Sequence, residues 1–86
     1  MSKAELLTPP QNYAVVQLPE RQYPGVVIQG DSLFNLARLL EEAADRVDRD
    51  ERDACLTEAR EILEGALSKY ERVLDERSIT LPYSRT

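Results

Sequence analysis

A serine and a carboxylate stand side by side in the segment Gly30-Asp31-Ser32-Leu33, which follows an apolar run and opens an amphipathic stretch. A serine hydroxyl is a strong nucleophile only when a neighbouring base removes its proton, and that base is most often a histidine. The chain contains no histidine. The same residues are typical of a helix start, because Asp31 or Ser32 can cap the first free N–H groups. The sequence therefore favours a structural role here over a catalytic one.

These four residues also resemble the signature of the GDSL esterases and lipases. The resemblance would make Ser32 the nucleophile, with a histidine taking its proton and an acidic residue orienting that histidine. The chain departs from this pattern in lacking any histidine, and its 86 residues are less than half of what the α/β sheet of that family needs. We therefore predict that the protein is not an enzyme and has no catalytic residues, no cofactor and no metal.

The main charge feature is an acidic stretch between residues 41 and 53, with seven acids against three arginines. A calcium loop starting at Asp48 would need glycine and glutamate where the chain has Asp53 and Ala59. Two interpretations stay open: a solvated helix junction with internal ion pairs, or a docking patch for a basic surface, since complementary charge speeds association. The residues of this patch are Glu41, Glu42, Asp45 and Asp48.

Length and charge limit the classes of protein further. The length predicts a single domain, residues 1–86, near the lower limit for one core. The net charge of −5 disfavours binding to nucleic acid or to an anionic membrane. There is no secretory pattern and no apolar run long enough to span a membrane, so we expect a cytoplasmic protein.

Two short β runs predict an antiparallel hairpin within residues 12–30. Residues 12–18 alternate with period two, and residues 26–29 follow after a connection that contains two prolines and a glycine. We expect one set of side chains to face the core and the other to stay exposed: Ala14, Val16 and Leu18 inward, and Tyr13, Val15 and Val27 outward. An exposed apolar sheet face with free edges predicts a homodimer.

The remaining segments complete the predicted fold. Apolar residues recur at three- and four-residue steps through residues 31–77, which predicts two long antiparallel helices with a break at residues 48–50. Residues 1–11 are expected to be extended, because paired prolines forbid a helix there, and residues 78–86 form a tail. The fold class is α+β, a short antiparallel β-hairpin followed by two long antiparallel helices (ββαα).

The segment from Asn12 to Leu33 resembles the core of a family of small, uncharacterised bacterial proteins, a domain of unknown function. The resemblance rests on an Ala-Val-Val strand, a Pro-x-Arg-x-aromatic-Pro-Gly connection and a Gln-Gly-Asp-Ser-Leu helix entry. It implies no catalytic residue. It implies a recurring unit that consists of Arg21, Tyr23, Pro24, Gly25, Gln29, Gly30 and Asp31. For Arg21 and Gln29, either partner binding or a buried hydrogen bond would explain the residue type.

These observations together predict a non-catalytic protein-interaction module that binds a basic partner protein. An immunity-type or regulatory protein fits by analogy of size and charge. The residues expected to contact the partner are Arg21, Tyr23, Gln29, Glu41, Glu42, Asp45 and Asp48. The alternative is a structural homo-oligomer with no dedicated heterologous partner, in which hairpins pair. A third class is a small-molecule binding module that uses Arg21 and Gln29 at a dimer cleft.

Overall fold

A computed structural model describes residues 3–8, 13–45 and 48–84 of the protein. The chain forms two compact units, which we call the sheet unit (Met1–Ile28 with Ala66–Thr86) and the helical-hairpin unit (Gln29–Gly65). The elements in chain order are β1 (Glu5–Leu6), β2 (Ala14–Gln17), β3 (Gly25–Val27), α1 (Gly30–Asp45) and α2 (Arg49–Glu76). The predicted α+β class, with strands preceding two helices, is confirmed.

The sheet has three antiparallel strands with β2 in the centre. Strand β3 pairs with β2 so that Val15 lies opposite Val26, which is the predicted hairpin. Strand β1 pairs with the other edge of β2 and sets Leu6 opposite Val16. The predicted two-stranded hairpin is therefore part of a three-stranded sheet, in which Glu5–Leu6, predicted only to be extended, forms the additional strand. Two residues are too few to show an alternating pattern, so the sequence carried no signal for this strand.

The core of the sheet unit lies on the Val15 side of the sheet. Val15 is fully buried, in a cluster with Leu7, Tyr70, Val73 and Leu74. Leu18, in contrast, is 45% exposed, so the predicted directions of Val15 and Leu18 were both wrong. Ala14 is buried and Val27 is 44% exposed, as expected. The inward face is set by α2, whose Tyr70, Val73 and Leu74 contact Val15.

Hydrogen bonds connect the N-terminal segment and the β2–β3 connection to the core of this unit. The Tyr70 hydroxyl donates to the carbonyl oxygen of Pro24 at 2.7 Å, and both residues are buried. The Arg77 guanidinium donates to the carbonyl oxygen of Leu7 at 2.9 Å. Leu7 in turn donates its N–H to the carbonyl of Val15 at 2.8 Å. The N-terminal segment and the β2–β3 connection are thus both held against α2.

Helix α2 ends in a Schellman motif. The Ile79 N–H donates to the Leu74 carbonyl at 2.8 Å and the Ser78 N–H to the Asp75 carbonyl at 3.1 Å. Ile79 also packs against the cluster that contains Leu74, a hydrophobic contact that frequently accompanies this motif. Ser78 has a φ of 57°, a left-handed conformation that glycine adopts more readily than serine.

The helical-hairpin unit packs α1 against the first part of α2. Leu36 and Leu39 contact Ala59, and Ile62 packs against them. Helix α1 begins at Gly30, one residue earlier than predicted, because the Gln29 carbonyl already accepts the Leu33 N–H at 2.9 Å. The break also comes earlier than predicted: α1 ends at Asp45 and α2 begins at Arg49.

We expect Tyr70→Phe to lower the free energy of unfolding by about 1–3 kcal/mol at pH 7, because the buried Pro24 carbonyl loses its donor. Burial raises the pKa of the Tyr70 hydroxyl above its ordinary value. Its contribution to stability is therefore complete below the unfolded pKa, near 10, and is lost as pH rises through the higher folded pKa. Urea unfolding between pH 7 and pH 11 measures both effects.

The matched control is Tyr83→Phe, since the Tyr83 hydroxyl donates at 2.9 Å to the carboxylate of Glu71 at an exposed position. Wild type and this control should lose stability above pH 10 more steeply than Tyr70→Phe. Parallel curves for all three proteins would show that Tyr70 contributes nothing to the alkaline transition.

Ser78→Gly should raise the free energy of unfolding by about 1 kcal/mol, because glycine adopts the left-handed conformation without the steric cost that serine carries. The control is Ser68→Gly within α2, which should lower it by a similar amount. Thermal and urea unfolding measure both. Destabilisation by both substitutions would contradict the assignment of Ser78 to the Schellman position.

Candidate interaction surfaces

An acidic groove of about 360 Å³ runs along α1 and is lined by Arg38, Glu41, Glu42 and Asp45. These positions are three, four and seven residues apart, so they share one side of the helix. Three carboxylates against one guanidinium give the groove a net charge of −2. The structure thus brings together three of the four acids that the sequence predicted as a docking patch.

The carboxylates of the acidic groove are not equivalent. Arg38 donates to one Glu42 oxygen at 2.6 Å and to the Asn35 side-chain oxygen at 2.8 Å. The second Glu42 oxygen lies 3.8 Å from the Cys55 sulfur, at the distance of a weak thiol hydrogen bond. Glu41 and Asp45 are exposed and make no hydrogen bond or ion pair within the described part of the chain. Glu42 is therefore held in place, and Glu41 and Asp45 are the available charges.

Asp48, the fourth predicted docking residue, caps α2. Its side-chain oxygen accepts the Glu51 N–H at 3.1 Å, and its carbonyl accepts the Arg52 N–H at 3.1 Å. A carboxylate in this position satisfies one of the unpaired N–H groups at a helix start and interacts favourably with the helix dipole. Asp48 therefore has a structural role as the N-cap of α2, and its part in docking stays a prediction.

The β2–β3 connection displays Arg21 and Tyr23 on the sheet unit. The Gln17 side-chain amide donates to the carbonyls of Leu18 (3.1 Å) and Arg21 (2.7 Å), which holds the turn closed. Arg21 is exposed, and Tyr23 is 38% exposed. The role of Gln17 was not predicted; the available signal was a glutamine at the end of a strand, two residues before Pro19.

Gln29, the remaining predicted contact residue, precedes α1 in the helical-hairpin unit. Its side chain is exposed, and its backbone carbonyl accepts the Leu33 N–H at 2.9 Å. Gln29 thus belongs to a different unit from Arg21. This backbone bond does not depend on the residue type, so a role of the Gln29 side chain in partner binding stays a prediction.

The sheet unit carries a concave surface of the opposite charge. It measures about 400 Å³ and is lined by Leu7, Thr8, Lys69, Arg72, Val73, Glu76 and Arg77. Three cations and one carboxylate line it, and Arg77 is already bonded to the Leu7 carbonyl. The sequence did not reveal this surface, because its cations are spread along α2 and meet Leu7 and Thr8, which are far from them along the chain.

The Gly-Asp-Ser-Leu segment has the geometry of a helix start. The Asp31 carboxylate accepts the backbone N–H of Ser32 at 2.8 Å, so it is directed at the first turn of α1. Among residues 3–8, 13–45 and 48–84, no group of three histidine, cysteine or acidic side chains is placed to hold a metal ion. In the same ranges, none of the helices has the length and apolar content needed to cross a membrane.

Asp48→Ala should lower the free energy of unfolding by about 1 kcal/mol, because the Glu51 N–H at the start of α2 loses its acceptor. Asp48→Asn is the matched control: it removes the charge and keeps an oxygen acceptor, so it should cost less. Urea unfolding at neutral pH compares the three proteins. Equal losses for the two variants would mean that the charge of Asp48, and not its capping hydrogen bond, stabilises the helix.

Comparison with known proteins gives a family and no function. Neither the curated proteins nor the solved structures contain a significant match to this chain. A model described as a family of unknown function (DUF6959) matches residues 1–83, well beyond the segment from Asn12 to Leu33 in which the sequence resemblance was found. The chain therefore belongs to DUF6959, a family of unknown function.

Proposed function

We propose that this protein is a non-catalytic, cytoplasmic interaction module that works as a homodimer and binds a basic partner protein through the acidic groove. The observation that carries the proposal is the pair of exposed carboxylates, Glu41 and Asp45, beside the fixed Arg38–Glu42 ion pair. A groove of about 360 Å³ has room for a lysine or arginine side chain of a partner.

The electrostatics of the groove support a basic ligand. Exposed charges act over roughly 8 Å at physiological ionic strength, so the local charge of the groove matters more than the net charge of the chain. Here both agree in sign, because the groove carries −2 and the chain −5. Complementary charge of this kind raises association rates and selects among partners. The groove also stands on a 16-residue helix, which presents its carboxylates in a fixed arrangement.

Two observations support a role without catalysis. The chain has no histidine to serve as a base for Ser32. The Asp31 carboxylate is bonded to the Ser32 N–H and so is directed at the helix start.

The alternative function is a structural homo-oligomer in which two sheets pair. It is favoured by the outer face of the sheet, where Leu18 and Val27 remain 45% and 44% exposed. Exposed apolar residues close to a free strand edge are suited to self-association. In this alternative the acidic groove serves only to keep the protein soluble.

The test is affinity capture from the native host, with wild type compared with the double variant Glu41→Lys, Asp45→Lys. Glu42 is left in place so that its ion pair with Arg38 is preserved. We expect wild type to capture a basic protein and the variant to bind it at least about tenfold more weakly, because attraction is replaced by repulsion. Titration of the purified pair at two salt concentrations measures the difference.

The control is Glu58→Lys, Glu61→Lys, which makes the same change in net charge, from −5 to −1, at exposed sites on α2 outside the groove. This control should bind like wild type. Capture of no basic protein, or equal binding by both variants, would overturn the proposal that the groove is the docking site.

A further inference from the structure

The helical-hairpin unit has two apolar seams, and only one of them is covered. The first joins the two helices through Leu36, Leu39 and Ala59, with Ile62 packed against them. The second lies one residue further round each helix and consists of Leu33, Ala37, Leu40 and Ala44 of α1 with Leu56 and Leu63 of α2. We call it the open seam. Its four leucines are between 43% and 54% exposed.

The two halves of the open seam lie on the same side of the helix pair. Each residue turns an α-helix by about 100°, so Leu33 and Leu40 lie about 40–60° to one side of Leu36. Leu56 and Leu63 have the same offsets from Ala59. The helices run antiparallel, since Glu42 and Cys55 meet near the connection while Leu36 packs in the cluster with Ile62. Two antiparallel helices are related by a twofold axis perpendicular to the plane that contains both helices. This axis keeps side chains with equal angular offsets on the same side of that plane.

The leucines of the open seam also form matched levels. Because Glu42 lies beside Cys55, counting away from this pair along the two antiparallel helices places Leu40 within one residue of the level of Leu56, and Leu33 within one residue of the level of Leu63. The spacing is seven residues in each helix, the repeat of coiled coils and four-helix bundles. A helix that contacts one neighbour needs one apolar stripe, whereas a bundle helix with two neighbours needs a wider one. These helices have the wider stripe.

We propose that a second copy of the chain covers the open seam, so that two helical hairpins form a four-helix bundle. This rests on the homodimer of the proposed function and names its surface. Helix α1 is about 24 Å long, and the pair is roughly 20 Å wide, which gives a flat footprint of about 480 Å². Stable dimers bury about 800 Å² of accessible surface per partner, so this footprint corresponds to somewhat more than half of that area.

The charges at the border of the open seam favour a second copy over a basic helix of another protein. Glu41 borders the seam on α1, and Arg60, paired with Glu64 at 2.9 Å, borders it on α2. A twofold dimer that sets α1 over the partner's α2 brings Glu41 of each copy toward the Arg60–Glu64 pair of the other. A uniformly basic helix would instead set its cations beside Arg60. The small core of one hairpin also gains from added burial.

The test is the solution mass of the purified full chain, measured by light scattering and by sedimentation at concentrations from micromolar to a few hundred micromolar. Wild type should have twice the 9.8 kDa mass of one chain. Leu40→Glu with Leu63→Glu should raise the dimer dissociation constant at least about 100-fold, since charges would be buried against leucines. Val27→Glu, at a sheet position of equal exposure, is the matched control and should stay dimeric.

Circular dichroism confirms that each variant is folded, and Leu40→Ala with Leu63→Ala replaces the glutamate variant if that one is not. A wild type that stays monomeric at the highest concentration overturns the inference. So does a dimer that survives the leucine substitutions and is lost in Val27→Glu, which would place the interface on the sheet. Binding of a synthetic lysine–leucine amphipathic peptide to a monomeric wild type, but not to the leucine variant, would assign the seam to a partner helix.

This outcome is separable from that of the groove. Because Glu41 also borders the open seam, Asp45→Lys alone tests partner capture here, and mass measurement of the pure protein tests the seam without any partner. If the protein is a dimer but captures no basic protein, the proposal for the seam stands and the proposal for the groove is overturned. If it captures a basic protein but is a monomer, the proposal for the groove stands and the proposal for the seam is overturned.

Discussion

The contact between Val15 of the central strand and the aromatic and aliphatic side chains of α2 is the interaction on which the sheet unit depends. Strands of two, four and three residues cannot form a stable sheet alone. Tyr70, Val73 and Leu74 supply the missing apolar cover. Tyr70 also satisfies the buried Pro24 carbonyl. The same short stretch of helix therefore covers the sheet and fixes the connection that displays Arg21 and Tyr23.

Most of the elements could be predicted from the sequence because their periodicities are clear. The predictions failed where a periodicity does not show which face of an element points to the core. Alternation in β2 separates two faces, but Val15 and Val16 are both apolar, so the pattern alone cannot tell which face a helix covers. Strand β1 forms because it pairs with β2, and its own two residues carry no pattern that would predict it. Both helices begin earlier than predicted, because Gln29 and Asp48 take the N-cap positions.

The acidic patch shows how charge on a sequence divides between structure and function. Spacing along α1 was sufficient to predict that Glu41, Glu42 and Asp45 share one side of a helix. It could not distinguish Glu42, which is bonded to Arg38 and lies against Cys55, from the exposed pair. That distinction depends on the second helix. Only a structure that brings Cys55 beside Glu42 separates the held carboxylate from the available ones.

The groove and the open seam share Glu41 at their border, whereas Asp45 faces away from the seam, and this arrangement has a consequence for binding. Asp45 lies about 140° around the helix from Leu40, so covering the leucine leaves Asp45 accessible. A twofold dimer through the seam would then present two acidic grooves at a fixed separation. A partner with two basic sites would engage the second groove as an intramolecular step, which can raise avidity by about 10²–10⁴ without any new contact. Weak single-site electrostatics, typical of exposed charges, would be sufficient for a stable complex under these conditions.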